Sequence, residues 1–293
     1  MARALLPQWS DIRAPVIGMV HLLALPGSPL YGGNISAVAD AARRDARALV
    51  EGGVHGLMME NFGDAPFYPW RVPAQVISHM TALAGALVRA FPDTPLGINV
   101  LRNDGRAALA IAHAVGACFI RVNVLCGARL TDQGIVSGIA HDLLRDRAQL
   151  GAEHVRLFAD VQVKHSSPLG PAALEDEVAD TIHRALADAV IVSGPGTGRQ
   201  VDTSDLERVR AAAGDTPVLL GSGVTSDSLR AYGGLADGFI VGTSLKRDGL
   251  TNNPVDPQRV RKLVGKGDEG GTGRSDADKQ TGHLKNRRAA HDN

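Results

Sequence analysis

The sequence predicts a (β/α)8 barrel, in which eight parallel strands form a closed central sheet and eight helices surround it. Short apolar runs alternate with amphipathic stretches along the chain, and we count eight of each. This alternation is typical of βα units built around a parallel sheet. The length of 293 residues fits one barrel, because such domains commonly contain about 250 residues.

The apolar runs predict the positions of the eight strands. They cover residues 16–21, 56–60, 96–100, 119–122, 155–161, 189–193, 217–221 and 238–242. Several runs are apolar on both faces, as expected for strands buried between a barrel interior and a layer of helices. We therefore expect a parallel sheet that is covered on both sides.

Helix signals lie between these strands. Apolar residues recur about every 3.6 residues in three stretches, which contain Val38, Ala42, Ala46 and Leu49; Val76, Met80, Leu83 and Leu87; and Leu174, Val178, Ile182 and Ala185. Other helix starts are predicted from capping residues, namely Asp104, the capping box formed by Ser204 and Glu207, and Asp256-Pro257. Periodicity and capping together predict helices that alternate with the strands.

The composition changes after Val264, where Gly and charged residues dominate and only one apolar residue is larger than alanine. A segment this polar cannot bury enough apolar surface to fold on its own. We therefore predict a single barrel domain over residues 1–264 and a disordered polar tail over residues 265–293.

Charge and hydropathy argue against several classes of partner. Lys plus Arg and Asp plus Glu each total 31, so no overall field favours nucleic acid or anionic lipid. No apolar run approaches the roughly 18 residues that a membrane-spanning helix needs. The spacing of Cys118 and Cys126 matches neither a zinc half-site nor a disulfide framework. We expect a cytoplasmic protein with no nucleic-acid partner and no membrane span.

Function in such barrels is built at the carboxyl ends of the strands. The seventh and eighth predicted strands both run into small residues, at the pair of positions where many barrels bind a phosphate group with backbone N–H groups. These residues are Gly221, Ser222 and Gly223 after the seventh strand, and Gly242, Thr243 and Ser244 after the eighth. We predict a phosphate site there; the alternative is that the glycines only form tight turns.

Polar residues at or just after the other predicted strands are expected to converge on the mouth of the barrel. The catalytic candidates are His21, Glu60, Asp160 and Lys164, and the candidates for substrate binding are Asn61, Asp64, Asn99, Arg121, Asn123 and Ser193. Such a gathering of acid, base and amide groups is more than a barrel core requires. It favours a catalytic site at the mouth of the barrel.

The roles of these groups stay open at this point. Glu60 and Asp160 lie on non-adjacent predicted strands, so one could act as a general base, or both could hold a divalent cation such as Mg²⁺. The alternative is that each pairs with a nearby cation such as Arg121 or Lys164. Lys164 could form a Schiff base, or it could be the cationic partner of a phosphate or carboxylate. His21 could act as an acid or base near neutral pH, or it could be an ordinary hydrogen-bonded histidine of the barrel.

Two loops near the predicted mouth have unusual compositions. Residues 61–70 hold four of the eleven aromatic residues, which would cover a ligand, pack on the barrel rim or contact a second subunit. Residues 193–198 are rich in glycine but contain neither a P-loop lysine nor a complete dinucleotide fingerprint. We interpret residues 193–198 as a flexible lid or a substrate loop.

Three segments of the sequence resemble a known family. They are IGMVHL at residues 17–22, MENFGDAPF at residues 59–67 and ADVQVKH at residues 159–165. Together with the glycine-rich strand ends, they extend a resemblance to the BtpA/SgcQ family over residues 11–264. The resemblance implies a TIM barrel related to the ribulose-phosphate-binding group. It also implies two functions of different class, because the family name derives from photosystem I biogenesis and other members look like sugar-metabolism enzymes.

We therefore predict an enzyme that acts on a phosphorylated sugar or a related small metabolite. In this hypothesis Glu60 and Asp160 do acid–base or metal work, and Lys164 and Arg121 stabilise negative charge. The alternative is an accessory factor for the biogenesis or stability of photosystem I, without catalysis and peripheral to photosynthetic membranes if the host is photosynthetic. The sequence leaves open the substrate, the reaction, the need for a metal and whether chains form homo-oligomers.

Overall fold

The computed structural model describes residues 4–269, apart from positions 195, 197 and 227. Its centre is a closed barrel of eight parallel strands, in which the last strand pairs with the first. These strands are β1 (Val16–His21), β2 (Gly56–Glu60), β3 (Leu96–Asn99), β4 (Phe119–Val122), β7 (Arg156–Val161), β9 (Ala189–Val192), β10 (Val218–Leu220) and β11 (Gly238–Val241). The predicted fold class is confirmed, and each predicted strand end lies within one residue of the observed end.

Helices surround the barrel in the predicted alternation. They are α1 (Ile35–Glu51), α2 (Ala74–Ala90), α3 (Gly105–Val115), α4 (Ala140–Gln149), α5 (Leu174–Ala179), α6 (Thr203–Ala213), α7 (Leu229–Tyr232) and α8 (Pro257–Glu269). The helix α5 continues into a π-helical turn, Asp180–Arg184. The predicted apolar stripes face the barrel: those of α1 and α2 are buried throughout, and Ile182 is the one partly buried member of the third.

The helix starts agree with the prediction in two cases and differ in one. The carboxylate of Asp104 accepts a hydrogen bond from the backbone N–H of Ala107 and caps α3, and α8 begins at Pro257 directly after Asp256. The predicted capping box at Ser204 is wrong, because Asp202 is the cap of α6. Asp202 accepts from both the backbone N–H and the hydroxyl of Ser204, and the helix begins at Thr203, two residues earlier than a cap at Ser204 implies.

The interior of the barrel is filled with side chains below the mouth. Phe119 and Phe158 stack with ring centroids 4.8 Å apart, and Trp9 packs edge-on against Phe119 at 5.9 Å. Trp9 and Leu5 belong to the same buried cluster as the inward side chains of the strands. The amino-terminal segment therefore packs against the barrel interior, next to the first residues of β2 and β11, Gly56 and Gly238.

A small second sheet was not predicted. It has three antiparallel strands, β5 (Ala128–Thr131), β6 (Gly134–Ser137) and β8 (Ser166–Pro168), in the loops that follow β4 and β7. Asn103 ties the start of this region to α3, since its side chain bonds both the N–H and the C=O of Val124. The sheet thereby fixes the loops on one side of the barrel mouth.

The last helix runs to Glu269, five residues beyond the predicted end of the domain at Val264. Residues 270–293, which make up most of the predicted disordered tail, lie outside the described residues. Among the residues that the structure describes, no helix has both the length and the apolar character needed to cross a membrane.

Candidate active site

Strand register brings the polar mouth residues into one row. His21 is the register partner of Glu60, Glu60 of Asn99, and Asn99 of Arg121 across four neighbouring strands. Register partners on adjacent parallel strands point to the same face of a sheet. The row therefore projects from β1, β2, β3 and β4 toward the same side, at the carboxyl end of the barrel.

A cavity of about 290 Å³ lies at this end of the barrel. Its walls include His21, Glu60, Arg121 and Lys164 on one side and the loops after β10 and β11 on the other. All six residues predicted to bind phosphate, from Gly221 to Gly223 and from Gly242 to Ser244, line it. The structure thus brings the predicted phosphate loops and three of the four catalytic candidates around one space.

Glu60 is buried and has two neighbours in the row. Its Oε2 atom accepts a hydrogen bond of 2.6 Å from Asn99 Nδ2. Its Oε1 atom lies 3.8 Å from His21 Nε2. One carboxylate oxygen is therefore fixed by Asn99, while the other is next to an imidazole nitrogen. This arrangement suits proton transfer between a carboxylate, an imidazole and a bound ligand.

His21 lies in surroundings that favour its neutral form. Burial holds the pKa of His21 well below its ordinary value, and the positive charges of Lys246, Lys164 and Arg121 act in the same direction. The ring stacks on Phe62 with centroids 4.6 Å apart. The neutral imidazole has one N–H donor and one acceptor nitrogen, so His21 is equipped to exchange hydrogen bonds with a ligand.

Asp160 forms a buried network instead of facing the cavity as a free carboxylate. It accepts two hydrogen bonds from Arg121, of 2.8 and 2.9 Å, one from Asn123 of 2.8 Å and one from Ser193 of 3.1 Å. Of the two interpretations of Asp160 that the sequence left open, the geometry corresponds to charge pairing with Arg121. This pair holds the guanidinium of Arg121 at the cavity wall.

The donor set does not fit a metal ion shared by Glu60 and Asp160. The oxygens of Asp160 already accept four hydrogen bonds, and a cation there would compete with the guanidinium of Arg121. Among the described residues, no group of three or more His, Cys, Asp or Glu side chains is arranged to hold a metal. A divalent cation carried by the ligand itself is a separate case, because Mg²⁺ commonly binds through substrate phosphates.

Lys164 lies at the cavity wall beyond the end of β7, among other cations. Burial lowers the pKa of its ammonium group, and the charges of Arg121 and Arg102 also lower it, while Glu60 and Asp160 act to raise it. Arg102 is buried and donates a hydrogen bond of 2.6 Å to the backbone carbonyl of Lys164. Arg102 was not among the predicted site residues, and no local sequence pattern links it to Lys164, 62 positions away.

The hydroxyls of the phosphate loops already bond to the protein. Ser222 donates to the carbonyls of Gly196 and Arg199, and Ser244 donates to the carbonyl of Val224 at 2.6 Å. Thr243 and Thr251 share a hydrogen bond of 2.9 Å. The hydroxyl protons of Ser222 and Ser244 are therefore already bound by backbone carbonyl groups. The hydroxyls hold the loops in place.

Gly223 is required by the close packing of two loops. Its φ angle is +67°, and a Cβ atom there would lie 2.4 Å from Cα of Gln200 and 2.5 Å from the carbonyl oxygen of Arg199. An L-residue with a side chain rarely adopts such a φ value. The loop after β10 can therefore approach residues 199 and 200, in the loop after β9, only because position 223 is glycine.

Two cations beside the phosphate loops were missed by the sequence analysis. Arg259 on α8 lines the cavity, and its Nη1 atom lies 3.4 Å from the carbonyl oxygen of Ser244. Lys246 is buried and pairs with Asp45 of α1, with 2.6 Å between Nζ and Oδ2. Asp45 and Lys246 are 201 positions apart, so no local pattern links them. The Lys246 pair anchors the segment after β11 to α1.

Asn61 and Asp64 do not line this cavity. Asp64 accepts hydrogen bonds from the N–H of Leu25 and from Asn61, and Asn61 accepts one from the N–H of Leu101. The two side chains join the loops after β1, β2 and β3, and they border a separate pocket of about 250 Å³ that Phe67 and Tyr68 also line. Asn99, Asn123 and Ser193 do not line the cavity either. Asn99 donates a hydrogen bond to Glu60, and Asn123 and Ser193 donate hydrogen bonds to Asp160.

The sequence profile of the BtpA family matches residues 12–269. The chain belongs to this family. A BtpA-family relative in Synechocystis, named photosystem I biogenesis protein BtpA, is 50% identical over 250 residues, which are 85% of this chain and 86% of the relative. An uncharacterized protein of Thermococcus kodakarensis is also 50% identical, over 86% of this chain and 94% of the relative. Similarity to the Synechocystis protein is therefore no greater than similarity to a relative of unassigned role.

Solved structures share the barrel of this BtpA-family chain at low sequence identity. Phosphoribosyl anthranilate isomerase from Thermus thermophilus has a TM-score of 0.52 at 11% identity and covers 87% of this chain and 98% of its own. The 3-keto-L-gulonate-6-phosphate decarboxylase from Vibrio cholerae has a TM-score of 0.53 at 12% identity, covering 88% and 98%. At these identities the likeness establishes the fold alone.

Proposed function

We propose that this BtpA-family protein is an enzyme that acts on a small phosphorylated sugar or a related phosphorylated metabolite. The observation that carries the proposal is the single cavity bordered by glycine-rich loops and Arg259 at one side and by Glu60, His21 and Lys164 at the other. The first side is suited to bind an anion, and the second to transfer protons. A scaffold protein would have little need for this combination.

The size and charge of the cavity support a small anionic ligand. Its volume of about 290 Å³ lies near the lower end of the roughly 300–1,000 Å³ that small-molecule sites occupy. Arg121, Lys164 and Arg259 contribute positive charge to its wall, whereas Glu60 is the carboxyl group that lines it. The excess of cations favours a phosphate or phosphorylated compound, and the volume favours a short carbon chain over a dinucleotide.

Each side chain has a proposed role that follows from its partners. Glu60 would remove a proton from the ligand, with Asn99 holding its second oxygen. His21, kept neutral by burial and nearby cations, would donate or accept a proton next to Glu60. Arg121 and Lys164 would stabilise the negative charge that forms when a proton leaves a carbon next to a carbonyl group. Asp160 would act through Arg121, whose guanidinium it orients.

The structural neighbours support this proposal only through their fold and their names. Their names describe an isomerase of a phosphoribosyl compound and a decarboxylase of a 6-phosphate, which both act on phosphorylated small molecules. Their low identity means that their reactions do not transfer to this chain. The polar row and cavity of this protein therefore carry the proposal.

Turnover is the direct test of the proposal. The full chain and its Glu60→Gln variant would be incubated with a pool of phosphorylated sugars, with and without Mg²⁺, and the consumed compounds identified by mass spectrometry. We expect one class of phosphorylated compound to be consumed by the wild type and spared by the variant. Consumption at equal rates by both proteins would contradict the assigned role of Glu60.

A second candidate function follows from the name of the Synechocystis relative. We infer as the alternative that the protein supports photosystem I at the surface of photosynthetic membranes, with or without catalysis. In a Synechocystis strain that lacks its own BtpA, wild-type and Glu60→Gln chains would be expressed and photosystem I measured. Equal restoration by both chains would favour an accessory role that does not use the cavity, whereas restoration by the wild type alone would link photosystem I to the proposed enzyme.

A further inference from the structure

The environment of Lys164, which is partly exposed, differs from that of the buried Lys246. Lys246 has a carboxylate partner, Asp45, at 2.6 Å. Near Lys164, Asp160 is committed to Arg121, Asn123 and Ser193, and Glu60 has its Oε2 atom bound by Asn99. The carboxylates around Lys164 are thus largely occupied by other donors. The Lys164 side chain nevertheless lines the cavity in which a ligand would sit.

Two guanidinium groups surround the Lys164 amine with positive charge. Arg121 lines the same cavity and is fixed by its ion pair with Asp160. Arg102 is tied to the backbone carbonyl of Lys164 by a hydrogen bond of 2.6 Å. Both groups are held in place by these contacts, and together with burial they lower the pKa of Lys164. A lysine crowded by cations in a partly dry site loses its proton more easily, and the neutral amine is a nucleophile.

We propose that Lys164 is a nucleophile that forms an imine with the carbonyl carbon of a phosphorylated aldehyde or ketone bound in the cavity. The inference rests on the proposed function for the binding of the phosphate group. It narrows the substrate class from phosphorylated metabolites in general to those with a carbonyl group within reach of Lys164. It also assigns Lys164 a covalent role instead of charge stabilisation alone.

The reaction balances without any further reactant. The lone pair of the neutral Nζ attacks the carbonyl carbon, and the carbonyl oxygen takes up one proton, while Nζ loses one of its own to Glu60 or His21. The resulting carbinolamine gains a second proton on oxygen and loses water, which leaves a protonated C=N bond. The water that leaves thus contains the carbonyl oxygen, the proton that Nζ released and one proton taken up from solvent, and the imine nitrogen keeps the other amine proton. The positive imine nitrogen then attracts electrons from the neighbouring carbon, whose proton Glu60 is placed to accept.

The position of the groups fits this sequence of steps. Glu60, His21 and Lys164 line one cavity, so proton donor, proton acceptor and amine border the same ligand. The phosphate loops lie at the other side and would direct the carbonyl end of a short ligand toward β2 and β7. A phosphate anchor at one end and a covalent bond at the other would bind even a three-carbon compound in a defined orientation.

Reductive trapping tests the inference on the full chain. The protein would be incubated at about pH 8, below the ordinary lysine pKa of about 10.4, with dihydroxyacetone phosphate and cyanoborohydride. Reduction of the imine leaves a stable secondary amine, which peptide mass spectrometry assigns to a lysine. We expect the adduct at Lys164 and its loss in Lys164→Arg, which keeps the positive charge but offers no amine. Exposed Lys262 on α8 is the internal comparison.

A parallel measurement separates this inference from the proposed function. Glycerol 3-phosphate has the phosphate but no carbonyl, so its effect on the melting temperature reports on phosphate binding alone. An adduct concentrated at Lys164, and much weaker with unphosphorylated dihydroxyacetone, would support the inference. Stabilisation by glycerol 3-phosphate with no adduct at Lys164, or with equal labelling of Lys262, would overturn the imine and leave the proposed function standing. If glycerol 3-phosphate gave no stabilisation and no adduct formed at Lys164, both the imine and the proposed function would be contradicted.

Discussion

Arg121 and Asp160 form a two-point ion pair at the cavity wall, with side chains that are only 1% and 0% exposed. The hydrogen bonds of 2.8 and 2.9 Å have the parallel geometry that a guanidinium and a carboxylate favour. Asn123 and Ser193 satisfy further lone pairs of Asp160. A buried pair is stable only when such partners offset the cost of removing charge from water. The pair therefore places a fixed positive charge beside the ligand space.

The first prediction concerns the stability that depends on this pair. Asp160→Asn leaves the charge of Arg121 buried without its partner, which we expect to lower the free energy of unfolding by about 3–5 kcal/mol. Denaturation in urea measures the change. Asp180→Asn is the matched control, because Asp180 and its partner Arg184 are 55% and 78% exposed and such pairs contribute about 0–1 kcal/mol. Equal effects of the two substitutions would show that the Arg121 pair is not buried as described.

The second prediction separates binding from chemistry at Glu60. Glu60→Gln keeps an oxygen that can accept the hydrogen bond of Asn99, so the fold and ligand binding should persist. We expect turnover to fall by about 10²–10⁴-fold, the usual contribution of a general base. Kinetic constants on the substrate found in the turnover screen measure this. A variant that keeps its turnover but binds the ligand poorly would assign Glu60 to binding instead of proton transfer.

The third prediction concerns Arg259, which lines the cavity beside the phosphate loops. Arg259→Met removes a charged donor, so the affinity for a phosphorylated ligand should fall about tenfold, as expected for one charge-assisted hydrogen bond. Titration calorimetry measures this fall. Arg261→Met is the control, since Arg261 is exposed two positions further along α8 and residues two apart on a helix point in different directions. If both variants bound equally well, Arg259 would not be a phosphate ligand.

The fourth prediction is a dependence of stability on pH that His21 causes. Because the pKa of His21 is lowered in the folded protein, protons bind preferentially to the unfolded chain below its ordinary pKa of about 6.5. Stability should therefore fall with decreasing pH from about 6.5 downward until the folded-state pKa is reached, with a slope of up to about 1.4 kcal/mol per pH unit from this group. Unfolding free energies of the wild type and His21→Gln, measured at several pH values, should diverge in this window.

His141→Gln provides the comparison for the pH experiment, because the side chain of His141 is 70% exposed. We expect this variant to follow the wild-type pH dependence. If His21→Gln also followed it, the buried and neutral state of His21 in the folded protein would be wrong.

Sequence patterns predicted the barrel because its signals are local. Apolar runs and 3.6-residue stripes recur once per βα unit, so each strand was placed within one residue of its observed ends. The β5, β6 and β8 sheet escaped prediction because its strands are only three or four residues long, and because the apolar side chains of Leu130 and Ile135 are exposed whereas Arg129 is buried. Periodic burial, the main signal of a strand, is weak there.

The residues at the site could be predicted from the sequence, but which partner each of them contacts could not be decided. The polar residues at strand ends were identified, and the row from His21 to Arg121 follows from barrel register. The partners of Asp160 depend on which rotamers and loops meet at the mouth, which no local pattern specifies. Lys246 and Asp45 meet across 201 positions, and Arg259 reaches the cavity from the last helix. The hydroxyl of Ser222, a residue predicted to bind phosphate, bonds to the loop after β9, and this contact follows from no local pattern.

The proposed function depends above all on binding of a phosphate group between the loops after β10 and β11, and matched pairs of ligands test this binding. Melting temperatures of the full chain would be compared in ribose 5-phosphate and ribose, and in glycerol 3-phosphate and glycerol, with and without Mg²⁺. We expect stabilisation by the phosphorylated member of a pair only, and a smaller effect in Gly223→Ala, where a Cβ atom would force the loop away from residues 199 and 200. Equal stabilisation by both members of a pair, or no stabilisation by either, would show that no phosphate site lies between these loops.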